Sequence, residues 1–235
     1  MASGLTRSTG LGSVPLDASI SGRFPLRVYA LVPAAGRGER FGGAKLLAKW
    51  RDRELLGHVL VKLGGARAAG LLINTIVMHR PEDEAVRSLA VEYRAYPVAM
   101  RASGGDLSDT LRAGIEVVAG REGRHDTTAL LICLGDQPLL RIEVIRALID
   151  GWKSGSPALR PAYRDAPGTP GHPLLLDRSL WAHASEMRGD SGFGPVLARR
   201  GVAIRSISVG GSNPDVDTLE QLSQLEELAG SAPDA

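Results

Sequence analysis

Apolar and polar residues alternate along this chain in blocks. Val28-Tyr29-Ala30-Leu31-Val32, Leu71 to Met78 and Ala129 to Leu134 are short, nearly unbroken apolar runs. Such runs suit strands covered on both faces, as in a parallel sheet. Tyr93 to Met100 predicts a further strand, with Pro97 marking an edge or a short element, and Val202 to Val209 predicts a late one. Between the runs lie stretches with helical spacing: Glu54 to Ala68, Glu82 to Val91 just after Pro81, Ser108 to Ala119, Ile142 to Trp152 and Asp217 to Leu228. Strands alternating with helices predict an α/β domain with a mainly parallel sheet and helices on both faces.

The ends read differently. Met1 to Gly22 is rich in Gly and Ser with no sustained period, so residues 1–26 are expected to form a flexible tail. Residues 230–235 are expected to fray, leaving one folded domain over 27–229.

Composition narrows the function. The chain has 235 residues, of which 43% are hydrophobic and 23% charged, an ordinary globular balance. A net charge of +2 argues against a surface built for nucleic acid, and 4% aromatic residues argue against a base-stacking platform. No run approaches the roughly 18 apolar residues of a membrane span, and no hydrophobic signal core opens the chain, so a cytoplasmic protein without membrane contact is expected. Cys133, the single cysteine, stands inside an apolar run and reads as a buried reduced thiol.

Open α/β sheets bind ligands at the carboxyl ends of their strands, which directs attention to the residues after Val32, Met78, Leu134 and Val209. After the first strand comes Pro33-Ala34-Ala35-Gly36-Arg37-Gly38-Glu39-Arg40-Phe41-Gly42-Gly43-Ala44-Lys45. Small residues let backbone N–H groups approach an anion, and Arg37, Arg40 and Lys45 add positive charge. The spacing fits neither a Walker A loop nor a dinucleotide G-x-G-x-x-G. After the Ala129–Leu134 run comes Gly135-Asp136-Gln137-Pro138, where Asp136 can hold Mg2+ opposite phosphates or cap a turn. Near the end, Asp215 and Asp217 alternate around Val216. Asp217 with Glu220 has capping-box spacing, a structural role that leaves metal ligation open.

Together these segments resemble the MobA-like nucleotidyltransferases, and within them the molybdenum cofactor cytidylyltransferase (MocA-like) branch. The glycine-rich opening matches that family's L-A-A-G-x-S-x-R-M-G-x-x-K-x-L. Its G-D-Q-P stands at Gly135 to Pro138, its G-H-P at Gly171 to Pro173, its G-D-x-G at Gly189 to Gly192, and its D-I-D-T-P-E-D-L is matched over Asp215 to Leu222. The likeness runs from about residue 27 to 228. It implies a Rossmann-like three-layer domain of the nucleotide-diphospho-sugar transferase type. It further implies transfer of CMP from CTP to a molybdopterin-type cofactor, with Mg2+ as cofactor and a molybdoenzyme or its maturation chaperone as recipient.

Residue roles follow from the same resemblance. Ala34, Ala35, Gly36, Arg37, Gly38, Lys45, Ser108 and Thr110 would bind the nucleotide. Lys45, Arg40 and Asp136 would be catalytic, and Asp136 and Asp217 would hold the metal. Asp190 and His172 would meet the acceptor, although Asp190 also suits a cap on the helix after Gly189 and His172 suits loop packing. Ala35, where guanylyltransferases carry glycine, favours CTP over GTP. The chain departs from the family at Asp106, in place of a common glycine, and at Phe193-Gly194, in place of Ala-Arg. Pro33 to Gly38 also reads like the opening of the methylerythritol-phosphate cytidylyltransferases. Sugar or isoprenoid phosphates are therefore alternative acceptors, a GTP-using molybdopterin guanylyltransferase is a further alternative, and a non-catalytic nucleotide-binding chaperone is the alternative from another class.

Overall fold

The computed structural model describes residues 27–36, 38, 41–101, 105–122 and 128–230. The expected tail over 1–26 and the terminal residues 231–235 lie outside them.

The apolar runs become the centre of one seven-stranded sheet. Its strands are β1 (Arg27–Ala34), β4 (Asn74–His79), β5 (Tyr96–Ala99), β6 (Thr128–Ile132), β7 (Ala158–Tyr163), β8 (Leu174–Asp177) and β9 (Arg205–Val209), in the order β5-β4-β1-β6-β8-β7-β9. β5, β4, β1 and β6 run parallel, and so do β7 and β9. β8 alone is antiparallel to its neighbours β6 and β7. A small hairpin of β2 (Lys49–Trp50) and β3 (Arg53–Glu54) lies apart.

Each central strand is buried on both faces because alternate side chains enter two cores. Val28, Ala30 and Val32 of β1 pack on one side with Leu60 and Leu63 of α1 (Leu55–Ala68), Val86 and Leu89 of α2 (Glu84–Glu92), and Val144 and Leu148 of α4 (Ile142–Lys153). Tyr29 and Leu31 pack on the other with Leu111 and Ile115 of α3 (Leu107–Glu122), with Trp181 of the 3-10 segment Arg178–Glu186, and with Phe193 of α5 (Phe193–Arg199). The period of two along a strand is what makes an unbroken apolar run the signature of a three-layer fold.

Pairing places the carboxyl ends of β1, β4 and β6 along one edge, joined there by the ends of β7 and β9. A third, smaller core of Trp50, Leu55, Val216 and Leu225 ties α6 (Leu219–Gly230) and the segment before it to that edge. Among the described residues no helix is long and apolar enough to cross a membrane. Cys133 is buried, and burial pushes its thiol pKa upward, so it stays a protonated packing group.

Candidate functional site

A cavity of about 820 Å³ opens at the carboxyl edge of the sheet. Its floor is the end of β1 and the loop that follows. Ala34 and Ala35 are buried, and together with Gly36, Gly38 and Lys45 they face the opening. Gly38 is required by geometry: its φ is +63°, and a Cβ there would sit 2.5 Å from the Gly43 carbonyl oxygen. That carbonyl accepts the Lys45 N–H at 2.6 Å, and the Gly38 carbonyl accepts from Phe41 at 3.0 Å, so the loop closes on itself and delivers Lys45 to the cavity. Arg37 and Arg40 lie outside the described residues.

Lys45 is the electrostatic centre. Its Nζ donates to Asp136 Oδ2 at 2.5 Å and to Asp217 Oδ1 at 2.8 Å, residues 91 and 172 positions away in sequence. Burial draws the Lys45 pKa down, but the two carboxylates outweigh it and hold the ammonium above its ordinary range. Asp136 lies in the turn after β6, with only 16% of its side chain exposed. Its second oxygen, Oδ1, is buried with no hydrogen-bond partner.

The carboxylate of Asp217 is free for this contact because the helix cap forms one residue later than the sequence spacing suggests. The expected pairing of Asp217 with Glu220 is absent. Instead Thr218 Oγ1 accepts the Gln221 N–H at 3.1 Å, while Gln221 Oε1 accepts the N–H groups of Thr218 and Asp217 at 3.0 and 2.6 Å. Thr-x-x-Gln is an equally good capping box, and it was present in the sequence. Asp136 likewise caps no helix: α4 starts after Arg141. Asp215 also lines the cavity, with Gln137 Nε2 donating to its Oδ1 at 2.9 Å. Protein crowding and the nearby Asp136 and Asp217 carboxylates raise the Asp215 pKa, against the lowering effect of Gln137 and Lys45.

The opposite wall is the start of α3. Thr110 and Asp106 line it, whereas Ser108 is wholly buried and donates its hydroxyl to Asp106 Oδ1 at 2.7 Å. That hydroxyl and the Asp109 N–H hold the Asp106 carboxyl below the usual range. Asp190 borders the same wall. Its Oδ1 accepts the Leu107 N–H at 3.4 Å, so it caps α3 from a distant segment and not the helix that follows it.

His172 lies outside the cavity lining, in a turn with a cis His172–Pro173 bond whose carbonyl accepts Tyr163 Oη at 2.9 Å. Gly171 is needed there because a Cβ would collide with the Pro161 carbonyl oxygen. Burial lowers the His172 pKa, opposed by the field of nearby Asp136.

Two cavity residues escape a reading of the sequence. Arg80 and Asp83 follow β4, a strand end singled out above, but their pattern is that of an ordinary helix start. Asp83 Oδ1 indeed accepts from Val86, while its Oδ2 meets Arg80 at 3.3 Å.

The residues present fit a small hard cation. Asp136 offers a buried, unpartnered oxygen, and Asp217 faces it across Lys45. Among the described residues no three acidic, His or Cys side chains form a self-sufficient cage. Mg2+ requires none, since it is held through one or two carboxylates with water and substrate phosphates completing the shell.

Comparison with known proteins agrees with this architecture. The chain is 34% identical over 138 residues to the bifunctional enzyme IspD/IspF of Paracoccus denitrificans, covering 59% of this chain and 33% of that protein. It is 31% identical over 150 residues to the 2-C-methyl-D-erythritol 4-phosphate cytidylyltransferase of Streptomyces coelicolor, covering 60% and 52%. The chain thus spans about half or less of these curated relatives. The crystal structure of Rv0371c from Mycobacterium tuberculosis superposes with a TM-score of 0.70 at 26% identity, over 87% of this chain and 99% of that one. A structure of Rv0371c in complex with manganese gives 0.66, at 26% identity over 87% and 100%. A 4-diphosphocytidyl-2C-methyl-D-erythritol synthase, 16% identical, shares the fold with a TM-score of 0.69 over 88% and 100%. A family model described as the MobA-like NTP transferase domain matches residues 30–204, from within β1 to just before β9. The chain belongs to the MobA-like NTP transferase domain family.

Proposed function

We propose that this protein is a nucleotidyltransferase that moves CMP from CTP to a phosphorylated acceptor and releases pyrophosphate, with a molybdopterin-type cofactor as the acceptor. The observation that carries the reading is Lys45 held between Asp136 and Asp217 beside a glycine-rich loop, in a cavity at the carboxyl edge of the sheet. Family membership and the cytidylyltransferases among the curated relatives support the nucleotide and the reaction type.

An acceptor phosphate oxygen attacks the α-phosphorus of CTP. The bond to the bridging oxygen of pyrophosphate breaks, and the leaving group takes that electron pair. The nucleophile is already ionised near neutral pH, so positioning and charge neutralisation supply the catalysis. Ala34 to Gly38 seat the nucleotide against the floor. Lys45 neutralises the phosphate chain as charge moves to the leaving group, and the family resemblance gives Arg40 the same role. Asp136 and Asp217 would hold Mg2+, which when bound orients the α-phosphate and polarises it. The structure of Rv0371c with manganese supports a divalent cation in this family. Asp190, on the cavity wall, and His172, outside the cavity lining, would meet the acceptor in this reading, which for molybdopterin rests on the resemblance of the Gly171-His172-Pro173 motif.

A second reading has its own support. Curated relatives named as 2-C-methyl-D-erythritol 4-phosphate cytidylyltransferases favour an erythritol phosphate as the acceptor. Pyrophosphate release is measured with CTP and GTP against both acceptors, for the native protein and Asp136→Ala. CTP-dependent release with molybdopterin that is lost in Asp136→Ala is the expected result. Release with the erythritol phosphate alone moves the acceptor to the second reading. Nucleotide binding without release from any acceptor leaves a carrier instead of an enzyme.

A further inference from the structure

Two segments far apart in sequence supply the carboxylates around Lys45: residues 135–137 carry Asp136, and residues 213–217 carry Asp215 and Asp217. The bonds between them have a direction. Val216 N–H donates to the Asp136 carbonyl at 3.1 Å. Asn213 Nδ2 donates to Gln137 Oε1 at 3.3 Å, and Gln137 Nε2 donates to Asp215 Oδ1 at 2.9 Å. Asn213 and Gln137 are each only 5% exposed, so water is a poor substitute for either end of the Gln137 amide. An ionised carboxylate can only accept, which fixes the orientation of Gln137 and, through it, the end of Asn213 that it meets.

We propose that Asn213 and Gln137 form a buried amide relay that locks Asp215 as a strut between the two segments and leaves Asp217 as the carboxylate that works beside Lys45. The assignment rests on the nucleotidyl-transfer reading for what Asp217 does, but not for how the segments are joined. Gln137, Asn213 and Asp215 are positioning residues. Val216, wholly buried among Trp50, Leu55 and Leu225, is the pivot they hold. Asp217 lies one residue beyond the pivot and meets Lys45 at 2.8 Å. Displacement of the strut therefore moves Asp217 away from the ammonium without touching the nucleotide floor.

Reversal of the relay tests it. Gln137→Glu sets an acceptor against an acceptor. Adding Asp215→Asn restores a donor-acceptor pair running the other way with the charge of the pair unchanged. Hydrogen exchange at the Val216 N–H reads the joint directly, without substrate or metal, and pyrophosphate release reads its consequence. In Gln137→Glu the Val216 amide exchanges faster and kcat falls by about 10- to 100-fold, the usual effect of losing a partner behind a ligand, while KM for CTP shifts by less than about threefold. The double variant regains slow exchange and most of the rate. Asn213→Ala, which leaves the inner bond in place, gives a smaller change in the same direction and serves if Gln137→Glu does not fold. Native exchange at Val216 in both Gln137→Glu and Asn213→Ala overturns the relay. A double variant with restored exchange but no activity overturns Asp215 as a strut and makes it a ligand. If the native protein releases no pyrophosphate, the proposed function fails while the exchange result still judges the relay.

Discussion

Lys45 already occupies the place between Asp136 and Asp217 that a divalent cation would share, and this gives a prediction with two opposite signs. Lys45→Met keeps the length of the side chain and removes the charge. Two carboxylates are then left without the ammonium that stands 2.5 and 2.8 Å from them. A unit charge pair at 4 Å gives about 4 kcal/mol at an effective dielectric of 20, and removing one partner of a fully buried pair costs about 3–5 kcal/mol. Lys45 and Asp136 are 16% exposed and Asp217 is 41% exposed, so solvent screens part of this. Roughly half, about 2 kcal/mol, is a reasonable loss of stability, which for a domain of this size lowers Tm by about 4–8 °C. The same uncompensated charge attracts a cation. Free of nucleotide, Lys45→Met binds Mn2+ about tenfold more tightly than the native protein, as followed by the electron paramagnetic resonance of free Mn2+. Its turnover nonetheless falls by about 10²- to 10³-fold, because the leaving phosphates lose their fixed charge. Weaker Mn2+ binding in Lys45→Met, or a near-native rate of pyrophosphate release, refutes the view of Lys45 as both internal counter-ion and phosphate clamp.

Three further outcomes follow from the geometry. Gly38→Ala forces a left-handed residue onto a Cβ that meets the Gly43 carbonyl, so CTP loses its thermal stabilisation of the protein while the unliganded Tm falls only by the few degrees that about 1–2 kcal/mol represents. Asp190→Ala removes the long-range cap on Leu107 and costs about 0.5–1 kcal/mol, seen as a Tm lower by about 1–4 °C. Glu186 accepts from Arg200 at 3.0 Å and pairs with His183, and these partners hold its carboxyl below the usual range. A lowered carboxylate contributes stability above the ordinary value of 4.5 and loses it as pH falls through the lowered one, so native protein melts above Glu186→Gln at pH 7 and the gap closes in acid.

The sequence revealed most where burial was two-sided. β1, β4 and β6 were legible because each carries an apolar run, broken only by polar residues at its ends, and α1 to α4 because their apolar spacing faces one layer. β7 and β8 were not read as strands: Arg160 and Pro161 interrupt one, and the other has only the four residues Leu174–Asp177. A helix after Gly189 was legible, and α5 is that helix; its bounds were not, because Gly194 and Pro195 stand near its start, although proline is at home in a first helical turn. At the site, Lys45, Asp136 and Asp217 could be found because each follows a strand end or a motif. Arg80 and Asp83 could not, since a helix-capping Asp looks the same whether or not a cavity lies beside it. The capping box of α6 was placed one residue early, at Asp217, because Asp-x-x-Glu and Thr-x-x-Gln overlap there.

The packing of Val216 against Trp50, Leu55 and Leu225 has a consequence for the life of the chain during synthesis. All seven strands of the sheet precede residue 210, and β1, β4 and β6 can pair as soon as they emerge. Lys45 must nevertheless wait for a partner 172 residues downstream. Until the first turns of α6 clear the ribosome, the nascent domain holds a folded sheet and a Lys45 ammonium with one carboxylate beside it in place of two. If Asp217 is the working carboxylate proposed above, competence to react arrives late and at once, after the sheet has folded.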